Sequence, residues 1–149
     1  MKVYVGADHN GYELKENVKR FLQNKGYEVI DVGNTYLDSK DDYPIFAFSL
    51  GKGIVKDEAK GILMCGSSQG MCIAANKVKG VRAVTVKDVK EARIVREHND
   101  VNVICISGWD RPSDIENIIM TFLKTEFSHA VRHRRRIKQI NDFESGKWK

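Results

Sequence analysis

Cys65-Gly66-Ser67-Ser68-Gln69-Gly70 puts a thiol, two hydroxyls and two glycines in one short segment that leaves a β-branched run and opens a helix over Met71 to Asn76. Backbone N–H groups at such a helix start converge on an anion, so the segment suits a phosphate or a developing oxyanion. A thiol in the same positive field is expected to have a lowered pKa and to serve as base or nucleophile. The plainer alternative is a buried cysteine that ends a core strand above an ordinary glycine turn. The segment lacks the Gly-Lys-Ser/Thr ending of a P-loop and the three-glycine dinucleotide fingerprint. Met71 and Cys72 stand where a cysteine phosphatase would need an arginine, so covalent phosphate chemistry is not expected. Cys72 is read as core, facing inward on the helix.

Three further groups could meet a ligand. Asp8-His9 follows the first β-branched run, where Asp8 either contacts a ligand or caps the helix that begins at Tyr12. His98-Asn99 closes a helix just before the last strand, offering an imidazole and an amide, or only a helix end. In Arg132-His133-Arg134-Arg135-Arg136, positions 132 and 136 share one helical face, so two guanidinium groups can close on a single phosphate. The alternatives for this run are a solvated basic face or an RNA contact, but no exposed aromatic stripe or recognised RNA-binding module accompanies it. His129 and His133 have i, i+4 spacing without a neighbouring carboxylate, so neither a metal nor another cofactor is expected.

These groups need a frame, and the rest of the chain supplies its pattern. Strand-like runs cover Val3 to Ala7, Tyr27 to Val32, Gly61 to Cys65, Val81 to Val86 and Val101 to Ser107. Helical periodicity covers Tyr12 to Lys25, Ile45 to Val55 behind Pro44, Asp88 to Glu97, Pro112 to Phe127 and the basic Val131 to Phe143. Strands alternating with helices indicate an α/β fold with a parallel sheet, whose ligands bind at the carboxyl ends of the strands. A polar loop from Gly33 to Tyr43 is long enough to be functional. With no repeat, linker or low-complexity stretch, one domain is expected over residues 1–149.

Composition narrows the class. The 149 residues are 42% hydrophobic and 30% charged, the profile of an ordered globular chain rather than a disordered one. No run of about 18 uncharged apolar residues suggests a membrane span. The net charge of +5 sits largely in the Arg132 to Arg136 cluster, so a local anion site is a better reading than a general nucleic-acid surface. Three cysteines without a CxxC pair point to reduced thiols, and the start MKVYVGADHN lacks a signal-peptide pattern; a cytoplasmic protein is expected.

Taken together, the segments resemble the ribose-5-phosphate isomerase B family, which also includes the galactose-6-phosphate isomerase subunits. The resemblance rests on Asp8-His9-Asn10-Gly11 with Leu14-Lys15, Asp42-Tyr43-Pro44, Gly61 to Gly66, Ile73 to Lys77, Gly80 to Ala83, His98-Asn99 with Asn102-Val103, and Arg132-His133 with Arg135-Arg136-Ile137. It implies a three-layer α/β/α sandwich, Rossmann-like, with a five-stranded parallel sheet and a C-terminal basic helix. It further implies metal-free aldose–ketose isomerisation of a sugar phosphate, by a homodimer, or a dimer of dimers, whose active sites use both subunits.

Carried over by position, Cys65 resembles the base that moves a proton between C1 and C2, Ser67 a relay, and Gly66, Ser68, Gln69 and Gly70 the anion loop. His98 matches the residue that opens the furanose ring and Asn99 a contact to substrate oxygens. Asp8, His9 and Tyr43 line the sugar, while Arg132 and Arg136 match the phosphate clamp. Two departures stand out. Ser68 replaces the middle glycine of the family loop, and Trp109 takes the place of an arginine that commonly touches phosphate. Ribose 5-phosphate is the expected substrate; another phosphosugar (galactose 6-phosphate, allose 6-phosphate or a tetrulose phosphate) is the alternative, and a non-catalytic sugar-phosphate-binding subunit is the alternative from another class.

Overall fold

The computed structural model describes residues 1–148. Its elements are β1 (Lys2–Ala7), α1 (Tyr12–Asn24), β2 (Glu28–Asp31), α2 (Tyr43–Asp57), β3 (Lys60–Cys65), α3 (Gln69–Ala75), β4 (Ala83–Thr85), α4 (Val89–Asn99), β5 (Val103–Ser107), α5 (Ile115–Lys124) and α6 (Val131–Glu144). The strands form one sheet in the order β2-β1-β3-β5-β4, and every pair is parallel. Each expected element is present. Among the described residues no helix is long and apolar enough to cross a membrane.

Alternate residues of the central strands face opposite layers. Val3, Val5, Ile62, Met64, Ile104 and Ile106 pack under α1, α4 and α5. Tyr4, Leu63, Cys65, Val103 and Cys105 pack under α2 and α3 on the other face. The sheet thus lies between two helical layers, as expected. Helix α6 lies across the amino edge of the sheet: Ser128, just before it, donates its N–H to Glu97 O on α4, and Glu144 at its end accepts from Gly80 N, between α3 and β4.

The last two strands are shorter than the sequence suggests. β4 spans only Ala83–Thr85 because it is an edge strand. Asn76 satisfies both Ala83 N and Ala83 O with its side-chain amide, and Asn102 Oδ1 takes Arg82 N at 2.8 Å. Side chains therefore do at this edge what ladder bonds do elsewhere.

From β1 the chain moves outward to β2, then crosses to β3 on the other side of β1. The strand order reverses between β1 and β3, which opens a crevice at their carboxyl ends. Asp8 and Cys65 sit there, one just beyond β1 and the other at the end of β3.

Candidate active site

The crevice is narrow because backbone meets backbone. Asp8 N donates to Met64 O at 3.3 Å, and a Cβ built on Gly11 would lie 2.3 Å from the same carbonyl oxygen. Only glycine lets the start of α1 press this closely on β3. Asp8 does not cap α1, contrary to one expectation. Its Oδ1 accepts from Asn10 N at 3.0 Å and Gly11 N at 3.1 Å, so it closes the turn ahead of the helix, whose own N-cap, Gly11, makes no side-chain bond. Burial raises the Asp8 pKa, and the N–H groups of Gly11 and Asn10 oppose that rise.

His9 is held from the long polar loop. Its Nδ1 lies 2.7 Å from Asp41 Oδ1, and the same oxygen accepts from His9 N. The hydrogen bond to Asp41 lifts the imidazole above its ordinary pKa. Asp41 is held in turn by Asn34 Nδ2 at 3.2 Å. Fully buried Lys15 anchors that loop through Asn34 O at 2.8 Å and Asp31 Oδ2 at 2.7 Å. A charge buried so deeply must be paired, and these oxygens pair it.

The Cys65 thiol is 5% exposed and lies in the layer beneath α2 and α3. The N–H groups of Met71 and Ser68 point at it, which favours the thiolate. Desolvation nevertheless dominates, and the Asp8 carboxylate acts in the same direction, so the pKa is raised. The expectation of a lowered thiol pKa is corrected: these two amides do not offset the removal of water around a buried sulfur.

Ser68 lies in the left-handed region at φ 67°. The backbone therefore keeps the conformation a glycine would favour, at a cost of roughly 1–2 kcal/mol for a side chain. Neighbouring glycines are needed for closeness: a Cβ on Gly66 would come within 2.5 Å of the Trp109 ring, and one on Gly70 within 2.7 Å of Tyr43 Cζ. The carbonyls of Cys65 and Gly66 are tied to the end of β5, by Gly108 N at 2.8 Å and by Ser107 Oγ at 2.7 Å. Beside this loop opens a cavity of about 200 Å³ whose lining includes Ser67, Gln69, Lys87, Trp109 and Asp110.

The remaining candidates lie elsewhere. Helix α4 starts after β4 at the carboxyl edge and must run back to the amino edge before β5 begins, so His98 and Asn99 end up at the amino edge. His98 stacks on His133, with ring centroids 4.4 Å apart. His133 is buried, contacts Ser128 Oγ through Nδ1 at 2.8 Å, and accepts from Arg132 Nε through Nε2 at 3.2 Å. Burial, followed by the charges of His98, Arg132 and Arg136, lowers its pKa. Arg132 and Arg136 are exposed.

Asp8, His9, Tyr43, Cys65, Ser67, Ser68, Gln69 and Gly70 are thus gathered at one edge, and His98, Asn99, Arg132 and Arg136 at the other. The six residues of β3 put about 16 Å between the edges, longer than a five-carbon sugar phosphate. Sequence reasoning missed Asp41 and the positioning role of His133. The acidic run Asp38 to Asp42 was the only trace of the first; the second depends on a tertiary stack that leaves no local pattern.

The family model for Ribose/Galactose Isomerase matches residues 3–140. The chain is 42% identical to the probable ribose-5-phosphate isomerase B of Mycoplasma genitalium, with 95% of each chain covered. It is 40% identical to the ribose-5-phosphate isomerase B of Mycobacterium tuberculosis, over 97% of this chain and 90% of that one. Among solved structures, the Clostridium thermocellum ribose-5-phosphate isomerase B superposes with a TM-score of 0.92 at 39% identity, covering 98% of this chain and 99% of that one. The Mycoplasma genitalium enzyme with bound ribulose-5-phosphate superposes with a TM-score of 0.91 at 39% identity, covering 97% and 96%.

Proposed function

The chain belongs to the ribose/galactose isomerase family, and on that premise we propose how its residues perform the reaction. The protein is an aldose–ketose isomerase that interconverts ribose 5-phosphate and ribulose 5-phosphate. The reaction removes a proton from the carbon beside a carbonyl, giving an enediolate that needs oriented donors. In our reading Cys65 thiolate takes the C2 proton of the open-chain aldose and returns it to C1. Ser67 or a water relays the hydroxyl proton, and the amides of Gly66 to Gly70 face the developing oxyanion. The raised thiol pKa lowers the thiolate fraction but makes each thiolate a stronger base, which suits a carbon acid.

The observation that carries this reading is the position of the Asp8 carboxylate and the Cys65 thiol at the same crevice, where the one charge acts on the other, beside the loop of residues 66–70. Asp8, His9 and Tyr43 hold the sugar from the same edge. His98 of the partner subunit opens the furanose ring, Asn99 of the partner subunit holds substrate oxygens, and the partner subunit's Arg132 and the partner subunit's Arg136 hold the phosphate. In this reading the enzyme works as a homodimer, which the separation of these groups within one chain by the length of a strand supports. Its place is the cytoplasm, where phosphorylated sugars are confined. The phosphate does not react; gripping it orients the reacting carbons.

The test is a panel of pentose and hexose phosphates in deuterium oxide without added metal. Solvent deuterium is expected at C2 of ribose 5-phosphate and C1 of ribulose 5-phosphate. Exchange confined to a hexose phosphate would favour the second reading, an isomerase of another phosphosugar, which the Trp109 ring against Gly66 makes the main rival. No exchange with any sugar would sink both and leave a non-catalytic binding subunit.

A further inference from the structure

Ser107 ends β5 and takes no part in the chemistry above, yet its side chain is bonded to the thiol loop. Its Oγ donates to Gly66 O at 2.7 Å and accepts from Asp110 N at 2.9 Å. Trp109 N donates to the same Gly66 oxygen at 3.2 Å, and Gly108 N donates to Cys65 O at 2.8 Å. Two consecutive carbonyls, those of Cys65 and Gly66, therefore turn toward the end of β5. Both peptides are trans, so each points its N–H opposite to its C=O. The N–H groups of Gly66 and Ser67 then point together away from β5, to the side of β3 on which β1 and Asp8 lie. Neither finds an acceptor among the described residues. Gly66 is buried and Ser67 is exposed, so the pair opens outward from the crevice. Successive N–H groups turned the same way form a concave anion site.

We propose that Ser107 is a positioning residue for the isomerisation: its hydroxyl aims the Gly66–Ser67 peptide so that the Ser67 N–H, with that of Gly66, faces the oxygen that becomes anionic in the enediolate. This role rests on the enediolate reading of Cys65 given above and adds to it a residue outside the loop. Ser107 touches no substrate and acts only through Gly66 O. A donor already fixed in place needs no reorganisation as charge develops, which is the source of its advantage over water. The demand falls on the enediolate more than on the bound sugar, because an oxyanion draws on these amides more strongly than a neutral carbonyl or hydroxyl does. Without the Ser107 hydroxyl, Gly66 O keeps only the longer bond from Trp109 N, and Asp110 N loses its acceptor. The peptide is then free to turn, and its N–H leaves the line of the oxyanion.

The experiment measures ribose 5-phosphate isomerisation and ligand affinity in full-length Ser107→Ala, Ser107→Cys and Ser107→Thr. Two ligands separate aim from folding. One is a phosphorylated hydroxamic acid of the substrate's chain length, whose planar anion imitates the enediolate. The other is ribitol 5-phosphate, which keeps the hydroxyls and the phosphate but cannot enolise. In Ser107→Ala, kcat and hydroxamate affinity should each fall at least about tenfold, while KM and ribitol 5-phosphate affinity stay within about twofold. Ser107→Thr keeps the hydroxyl and should restore most of the activity, and Ser107→Cys, with a weaker donor in the same place, should fall between the two. Undiminished kcat in Ser107→Ala, equal weakening of both ligands, or a Ser107→Thr no better than Ser107→Ala would overturn the role. If Ser107→Ala does not fold, a Ser107→Cys as active as the wild type overturns it. Failure of the Cys65 reading shows separately, as a Cys65→Ala enzyme with undiminished turnover.

Discussion

His133 lies buried against His98, ring centroids 4.4 Å apart, at the edge of the sheet opposite Cys65. This stack fixes the end of α4 to the start of α6 and presents Asn99, Arg132 and Arg136 away from their own chain's thiol. Mixing should therefore rescue activity. Cys65→Ala and Arg136→Ala homodimers are each expected to be nearly inactive. After unfolding and refolding together, random pairing gives half mixed dimers with one intact site each, or about a quarter of wild-type activity. No recovery, with mixed dimers verified by mass, would place both halves of the site in one chain.

Cys65→Ala should lose about 10²–10⁴-fold in kcat with its fold intact, the usual contribution of a positioned base. Since burial raises the thiol pKa, the free enzyme carries little thiolate at neutral pH. The kcat/KM of the wild type should rise with pH on its alkaline side, and the rise should vanish in Cys65→Ala. The stability sign is the reverse. A thiol whose pKa is raised by folding stabilises the protein below its unfolded value and loses that contribution as pH rises through the folded value.

Arg136→Ala should reduce turnover of phosphorylated pentoses while leaving the weak reaction of free ribose unchanged, because only the former use the clamp. Parallel losses on both sugars, measured by deuterium exchange, would make the arginine structural.

Ser68 holds a left-handed backbone conformation at the head of α3. Ser68→Gly removes that strain but adds unfolded-state entropy, so stability should change by less than about 1 kcal/mol. Ser68→Val should destabilise by roughly 1–3 kcal/mol, since a β-branched residue tolerates this region poorly. Urea unfolding of the two variants reads the difference, and equal midpoints would contradict the strain.

The hydrogen bond to Asp41 lifts the pKa of His9 above that of a free imidazole. The pair stabilises the protein fully below the unfolded imidazole pKa, and the contribution fades as pH rises through the folded value. In Asp41→Asn the His9 titration, followed by NMR, should move down toward the ordinary imidazole range. An unmoved titration would mean that Asp41 does not set it.

The order of elements and the parallel sheet were legible in the sequence because burial on both faces of a sheet demands β-branched runs, and one-sided burial of a helix demands periodicity near 3.6. The residues at the carboxyl ends of β1 and β3 were legible for the same reason: once the strands are placed, Asp8 and Cys65 follow. Local patterning carries no information on distance through the sheet. It could not separate His98 and the arginines from Cys65 by the length of a strand, nor bring Asp41 to His9 across 32 positions. The balance at the thiol was also hidden. A helix start can be read from glycines and serines, but desolvation depends on how completely α2 and α3 cover the sulfur, which packing alone decides.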